Sequence, residues 1–88
     1  MDAAVDQQFE TVKEFVRTEL CEKNHLEKDA FQMGETVIKK KGETCGIYFC
    51  IYGPRNVRLT AVWDLKSNSV YFYDSLGRRA ATYPTPPP

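Results

Sequence analysis

The sequence predicts an α+β fold in which a long N-terminal amphipathic helix packs on one face of a three- to four-stranded antiparallel meander. Residues 2–22 place apolar side chains at helical spacing, and residues 46–74 contain three runs of β-branched and aromatic residues separated by short turn sequences. The length of 88 residues suits one domain, and we expect no second one within it. We assign residues 1–82 to a single α+β domain and residues 83–88 to a proline-rich tail.

The N-terminal helix is predicted by one apolar stripe. Its members are mostly three or four positions apart, as on one side of a helix with 3.6 residues per turn; they are Val5, Phe9, Val12, Phe15, Val16 and Leu20. We expect the helix to end near Asn24 and His25, because Asn tolerates the left-handed conformation of a helix cap. Residues 26–33 are expected to form a short second helix or a turn.

Three long strands are predicted at residues 46–52, 57–63 and 69–74. The links between them are short and carry turn residues, so that neighbouring strands must pair antiparallel. Residues 36–39 predict a brief additional strand that forms a hairpin with the first long one. The tail is expected to be extended and loose, because proline lacks the N–H that a strand ladder requires.

Alternation along each strand sorts the side chains onto two faces. We expect the helix to cover the face without polar atoms, which carries Ile47, Phe49, Leu59, Trp63 and Phe72. A single helix covers one face only, so the opposite face stays open. That open face carries Tyr48, Cys50, Tyr52, Arg58, Thr60, Val62, Tyr71 and Tyr73.

Composition and charge narrow the class of protein. Apolar residues make up 42% and charged residues 27% of the chain, as in ordinary globular domains. No apolar run approaches the roughly 20 residues that span a bilayer, so no membrane partner is expected. The acidic N-terminus lacks the features of a secretory signal, and three cysteines without regular spacing favour a reducing compartment. We therefore expect the protein to be cytoplasmic. The alternative is that it is present in the nucleus as well.

The formal net charge is zero, but the charges are unevenly distributed along the chain. Residues 1–35 contain nine acidic and four basic residues, whereas residues 36–88 contain three acidic and eight basic residues. The helical end of the molecule is thus expected to be acidic and the sheet end basic.

The three cysteines and the single histidine are the candidate residues for metal binding and for cysteine catalysis. Cys21, His25, Cys45 and Cys50 would be the four candidate zinc ligands, but no two of them are about two residues apart, the spacing that structural zinc favours. Cys45 and Cys50 differ by an odd number and would face opposite sides of one strand. A catalytic cysteine would need His25 as its base, since the chain has no other histidine. We expect no metal, no cofactor and no enzymatic activity.

The segment Val70-Tyr-Phe-Tyr-Asp-Ser-Leu-Gly77 resembles part of the Ulp and adenovirus-type cysteine proteases. That resemblance implies a hairpin followed by an acid, Asp74, that orients a histidine. Val57 and Arg58 stand where the histidine and its tryptophan neighbour belong, and the position of the family's cysteine falls beyond residue 88. We interpret the resemblance as a shared hairpin pattern rather than as kinship.

The open face is the candidate functional site, with Tyr48, Tyr52, Arg58, Tyr71 and Tyr73 as its partner-binding residues. Tyrosine and arginine are enriched at the energetic centres of protein interfaces. We expect a small non-catalytic module that binds a protein partner or a second copy of itself. The alternative is binding of single-stranded RNA or another anionic ligand, with bases stacked on the same rings and phosphates held by Lys and Arg at the edges.

Overall fold

The computed structural model describes residues 3–27 and 30–87, with side chains from residue 8 onward. It confirms the α+β class: one helix packs against an antiparallel sheet that has five strands rather than three or four. In chain order the elements are α1 (Ala3–Lys23), β1 (Met33–Lys40), β2 (Glu43–Tyr52), β3 (Arg58–Asp64), β4 (Ser69–Tyr73) and β5 (Arg79–Pro84), with a short 3₁₀ turn at Pro54–Asn56 between β2 and β3.

The sheet is a meander in which every strand pairs with the next one along the chain, in the order β1-β2-β3-β4-β5. The register places Tyr48 opposite Val62, and Val62 opposite Tyr71. β1 begins three residues before the predicted strand and pairs along its whole length with β2. The sheet therefore has two edges, β1 and β5, and β2 to β4 lie between them.

The helix ends as predicted near Asn24 and His25, although His25 rather than Asn24 adopts the left-handed conformation, with φ of 56°. The N–H of Leu26 donates to the carbonyl of Cys21 at 2.8 Å, and that of His25 to the carbonyl of Glu22 at 3.3 Å. This pair of bonds is the Schellman motif, which satisfies carbonyls at the end of the helix. It turns the chain back toward the sheet.

The core lies between α1 and one face of the sheet. Val12, Val16 and Leu20 of the predicted stripe are buried against Phe49, Trp63 and other apolar residues of the inner strands. This face contains the side chains that alternation assigned to it, including Ile47, Leu59 and Phe72. Lys13 of α1 pairs with Glu35 of β1 at 3.3 Å and closes one border of this layer.

The segment between helix and sheet contains no second helix among its described residues. Residues 30 and 31 form a turn and a bend, and Met33 already belongs to β1. Lys28 and Asp29 lie outside the described residues. Leu26 and Phe31 nevertheless pack against the core.

The tail expectation is wrong for its first two residues, because Tyr83 and Pro84 belong to β5. Tyr83 pairs with Val70 in the ladder, and its ring meets Phe15 and Phe72 edge-on at 5.7 and 5.6 Å between centroids. An edge strand tolerates proline, since its outward side has no ladder partner to bond. Beyond the strand, the N–H of Thr85 donates to the carbonyl of Asn68 at 3.0 Å.

Candidate functional site

The second face of the sheet is left uncovered by the part of the chain that the structure describes. The register arranges its side chains in rows that run across the strands. One row contains Thr36, Tyr48, Val62, Tyr71 and Thr82; the next contains Gly34, Cys50, Thr60, Tyr73 and Arg79; and Tyr52 faces Arg58 at the border beyond. We call this surface the open face.

The predicted site residues all occur on the open face, but they differ in exposure. Tyr52 is 62% exposed and Arg58 is also exposed, and the two face each other directly across β2 and β3. Tyr48, Tyr71 and Tyr73 are half-buried, since they pack among their neighbours. Thus the ring and the cation that are most available to a partner lie side by side at one border.

Small side chains form the floor between the larger ones. Cys50 and Thr60 are paired across β2 and β3, and each is only 8% exposed although no described element lies above them. Gly34 continues the same row on β1. Over β1 to β3 the open face therefore forms a shallow trough between Tyr48 on one side and the Tyr52–Arg58 pair on the other. Tyr73 of the same row closes the trough at β4.

Tyr48 is held in place by its surroundings. Partial burial, followed by its contact with the Cys50 thiol, raises the pKa of Tyr48, while the nearby charge of Arg58 acts in the opposite direction. The Tyr48 hydroxyl keeps its proton at neutral pH, and the Cys50 thiol is its hydrogen-bond partner. The hydroxyl of Tyr71 lies 3.1 Å from the hydroxyl of Ser67 and is also partnered.

Arg79 is a member of the open face that sequence reasoning missed. Its guanidinium carbon lies 4.1 Å from the ring centroid of Tyr71 and 6.0 Å from that of Tyr73, within the range of cation–π contacts. The Tyr73 hydroxyl, as a hydrogen-bond partner, raises the pKa of Arg79. Arg79 was missed because β5 was not predicted from the sequence. Only the pairing of Arg79 with Tyr73 in β5 and β4 brings this side chain onto the open face.

Asp74, which the protease resemblance would make an orienting acid, bonds to its own turn. Its carboxylate accepts the N–H groups of Leu76 and Arg78, both at 2.9 Å, and the Nε–H of Arg78 at 3.2 Å. The backbone N–H of Arg78 is the largest cause that lowers the pKa of Asp74. Asp74 therefore has a structural role, because its carboxylate holds the β4–β5 turn together. This role requires no histidine partner.

Within the described ranges 3–27 and 30–87, no three His, Cys, Asp or Glu residues lie close enough together to hold a metal ion. All three cysteines lie in these ranges as thiols rather than in disulfides: Cys21 and Cys50 are buried, and Cys45 is half-buried. Cys21 lies in α1 beneath the sheet and Cys50 on the opposite, open face. The candidate zinc set is thus divided between the two sides of the sheet.

No helix in the described part of the chain combines the length and the apolar character that crossing a membrane requires.

Comparison of the chain with protein-family models, with curated proteins and with solved structures gives no match in any of the three. The function must accordingly be argued from the open face and its chemistry.

Proposed function

We propose that this chain is a non-catalytic interaction module that binds a protein partner through the open face. The observation that carries the proposal is the Tyr52–Arg58 pair, an exposed ring beside an exposed cation at the border of a trough. Such residues contribute most when they enter a pocket or cover a groove on a partner. Their place next to an otherwise packed surface favours a contact centred there.

The rest of the face supports this role by being ordered in advance. Tyr48 and Tyr71 are already packed and their hydroxyls have partners, and Arg79 lies over Tyr71. Binding therefore needs to immobilise few further side chains, each of which would otherwise lower affinity by about 0.5–1.5 kcal/mol. A packed surface with one exposed pair suits a protein contact.

The size of the face limits the affinity. Five strands about 4.8 Å apart and roughly seven residues long give a surface of about 24 by 23 Å, or ~550 Å². A standard interface uses about 800 Å² on each partner. A second copy stacked face to face would thus form a weak, reversible dimer, and a tighter partner must also contact the strand edges.

Single-stranded RNA is the second candidate, favoured by the excess of cations on the face. Arg58 and Arg79 contribute two positive charges, and Asp64 is the acidic side chain that alternation assigns to the same face. The disposition of the rings weighs against RNA, because Arg79 occupies one side of Tyr71 and Tyr48 is packed. Base stacking needs free ring faces, which favours the protein partner.

The test compares two double variants. Tyr52→Ser with Arg58→Ser removes the exposed pair, whereas Val37→Ser with Leu76→Ser removes two exposed apolar side chains that lie elsewhere, 47% and 74% exposed. Sedimentation of the wild type tests for a dimer, and quantitative affinity capture tests for other partners. We expect the first variant to lose these associations and the second to retain them.

Three outcomes would contradict the proposal. One is equal loss of association in both variants, and another is unchanged association of the Tyr52→Ser, Arg58→Ser variant. The third is tight binding of a single-stranded oligonucleotide that weakens steeply with salt and depends on Arg58, which would establish the RNA alternative instead.

A further inference from the structure

A second recess opens at the far end of the open face, between the β1–β2 and β3–β4 turns. Its volume is about 890 Å³, within the range of small-molecule sites, which measure roughly 300–1,000 Å³. Apolar side chains and lysines both line it; they are Ile38, Val62, Leu65, Lys40, Lys41 and Lys66. We call it the lysine cleft.

The cleft exists because the backbone is irregular there. The register of β1 and β2 shifts between Ile38 and Lys39, so that Cys45 is an extra residue in β2. The thiol of Cys45 donates to the carbonyl of Ile38 at 3.4 Å, and the carbonyl of Cys45 accepts the N–H of Leu65 at 3.1 Å. Bulges of this kind twist a strand and redirect its side chains.

Gly46 keeps the adjoining floor empty. A Cβ at this position would lie 2.7 Å from the carbonyl oxygen of Trp63, closer than side chains are tolerated. A side chain is therefore excluded beside Ile38 and Val62. The turn at Lys41 and Gly42, both with positive φ, sets one lysine at the mouth of the cleft.

The charges around the cleft leave a small positive excess. Glu43 and Asp64 line it together with the three lysines. Asp64 accepts the backbone N–H of Lys66 at 3.0 Å, which fixes the turn that carries this lysine. Three cations against two carboxylates match a ligand with one negative charge better than a polyphosphate.

We propose that the lysine cleft binds a small molecule with an apolar body and a single anionic group. The apolar body lies against Ile38, Val62 and Leu65, and the anion is held by Lys40, Lys41 and Lys66. This site stands apart from the Tyr52–Arg58 pair: Cys45 and Tyr52 occupy opposite ends of β2, about 23 Å apart along the strand. The two proposals therefore succeed or fail independently.

Cys45 provides a reporter inside the site. It lines the cleft and is half-buried, whereas Cys21 and Cys50 are buried. A bound ligand should shield it from iodoacetamide, a neutral alkylating agent, and mass spectrometry assigns the modified residue. The thiol is used as a probe of occupancy and needs no special reactivity.

The probe ligand is 8-anilinonaphthalene-1-sulfonate, which has an aromatic body and one sulfonate. N-phenyl-1-naphthylamine has the same body without the charge and is the matched control ligand. We expect saturable fluorescence of the sulfonate on the folded wild type, and at least about fivefold weaker binding of the neutral analogue. At ten times the dissociation constant, alkylation of Cys45 should slow about elevenfold, as the unoccupied fraction of a single site requires.

Charge reversal completes the test. Lys41→Glu with Lys66→Glu should weaken sulfonate binding at least about twofold, since each exposed ion pair contributes a factor of roughly 1.4 to 5 and two lost pairs therefore contribute roughly 2 to 25. Lys39→Glu reverses a neighbouring charge that does not line the cleft and should change binding less than about twofold. Circular dichroism checks that both variants are folded. Binding that does not saturate, leaves Cys45 unprotected, or is indifferent to the charge of the ligand or of both lysines would overturn the proposal.

Discussion

The guanidinium of Arg79 lies over the ring of Tyr71, with 4.1 Å from its carbon Cζ to the ring centroid. This contact joins β5 to β4 across the register shift between Phe72 and Tyr73. It stabilises the corner of the open face at which the β4–β5 pairing is irregular. The same stacking leaves the Tyr52–Arg58 pair as the more available part of the surface.

Arg79 and Tyr71 should be energetically coupled. A double-mutant cycle of Arg79→Ala and Tyr71→Leu, measured by urea unfolding, is expected to give a positive coupling free energy because the cation–π contact needs both side chains. The control cycle of Arg79→Ala with Tyr48→Leu should give a value near zero, since two strands separate those residues. Equal coupling in both cycles would show that the contact is not specific.

Asp74 should make stability depend on pH in the acid range. Its pKa is lowered in the folded chain, first of all by the backbone N–H of Arg78. The resulting stabilisation is complete above the unfolded value, at about pH 4, and is lost as the pH falls through the folded pKa. Urea unfolding should show Asp74→Asn to be less stable than the wild type at pH 7, and the difference should shrink as the pH falls from about 4 toward 2. A difference that persists unchanged at pH 2 would contradict this assignment.

Two glycines on the open face should respond differently to an added methyl group. A Cβ on Gly46 would lie 2.7 Å from the carbonyl oxygen of Trp63, whereas one on Gly34 would lie 3.9 Å from that of Cys50. Gly46→Ala should therefore lower the free energy of unfolding by about 1–3 kcal/mol, the range for overpacking. Gly34→Ala should be neutral or slightly stabilising. Denaturant unfolding measures the change in the free energy of unfolding for both variants. Equal changes would contradict the close approach at Gly46.

Tyr83 should be part of the cooperative core. Its ring contacts Phe15 and Phe72, and Lys23 lies 4.9 Å from its centroid. A chain that ends at residue 82 should lose about 2–4 kcal/mol of stability, as for removal of a partly buried aromatic side chain. Removing residues 86–88 alone should cost much less. Equal stability of the full chain and the chain that ends at residue 82 would restore the loose-tail interpretation.

The fold class could be predicted because two strong periodic patterns occur in the sequence. The stripe that includes Val12, Val16 and Leu20 follows a helix, and residues 46–74 alternate as strands do. β5 was missed because residues 79–84 contain two alanines and a proline, which are poor strand formers. Tertiary packing of Tyr83 on Phe15 and Phe72 stabilises that strand instead, and no local pattern reports such a contact.

The site was predicted in outline but not in its details. Alternation places Tyr48, Tyr52 and Arg58 on one face without knowledge of the fold. It gives no measure of exposure, and so did not separate the packed Tyr48 from the exposed Tyr52. Arg79 and the lysine cleft depend on two register shifts, at Tyr73 and at Lys39, which the alternation of side chains along each strand does not report.

The proposed role of the open face is tested most directly by photo-crosslinking at position 52. Tyr52→p-benzoylphenylalanine keeps an aromatic ring at the exposed border, and the same residue at Leu76 is the matched control, since that side chain is 74% exposed in a turn. Crosslinking in cells that express the protein should give a discrete adduct from position 52 that is weak or absent from position 76. The mass of the adduct distinguishes a second copy from another protein, and Arg58→Ser should remove it. No adduct from position 52, or the same adducts from both positions, would contradict the proposal that this face binds a protein partner.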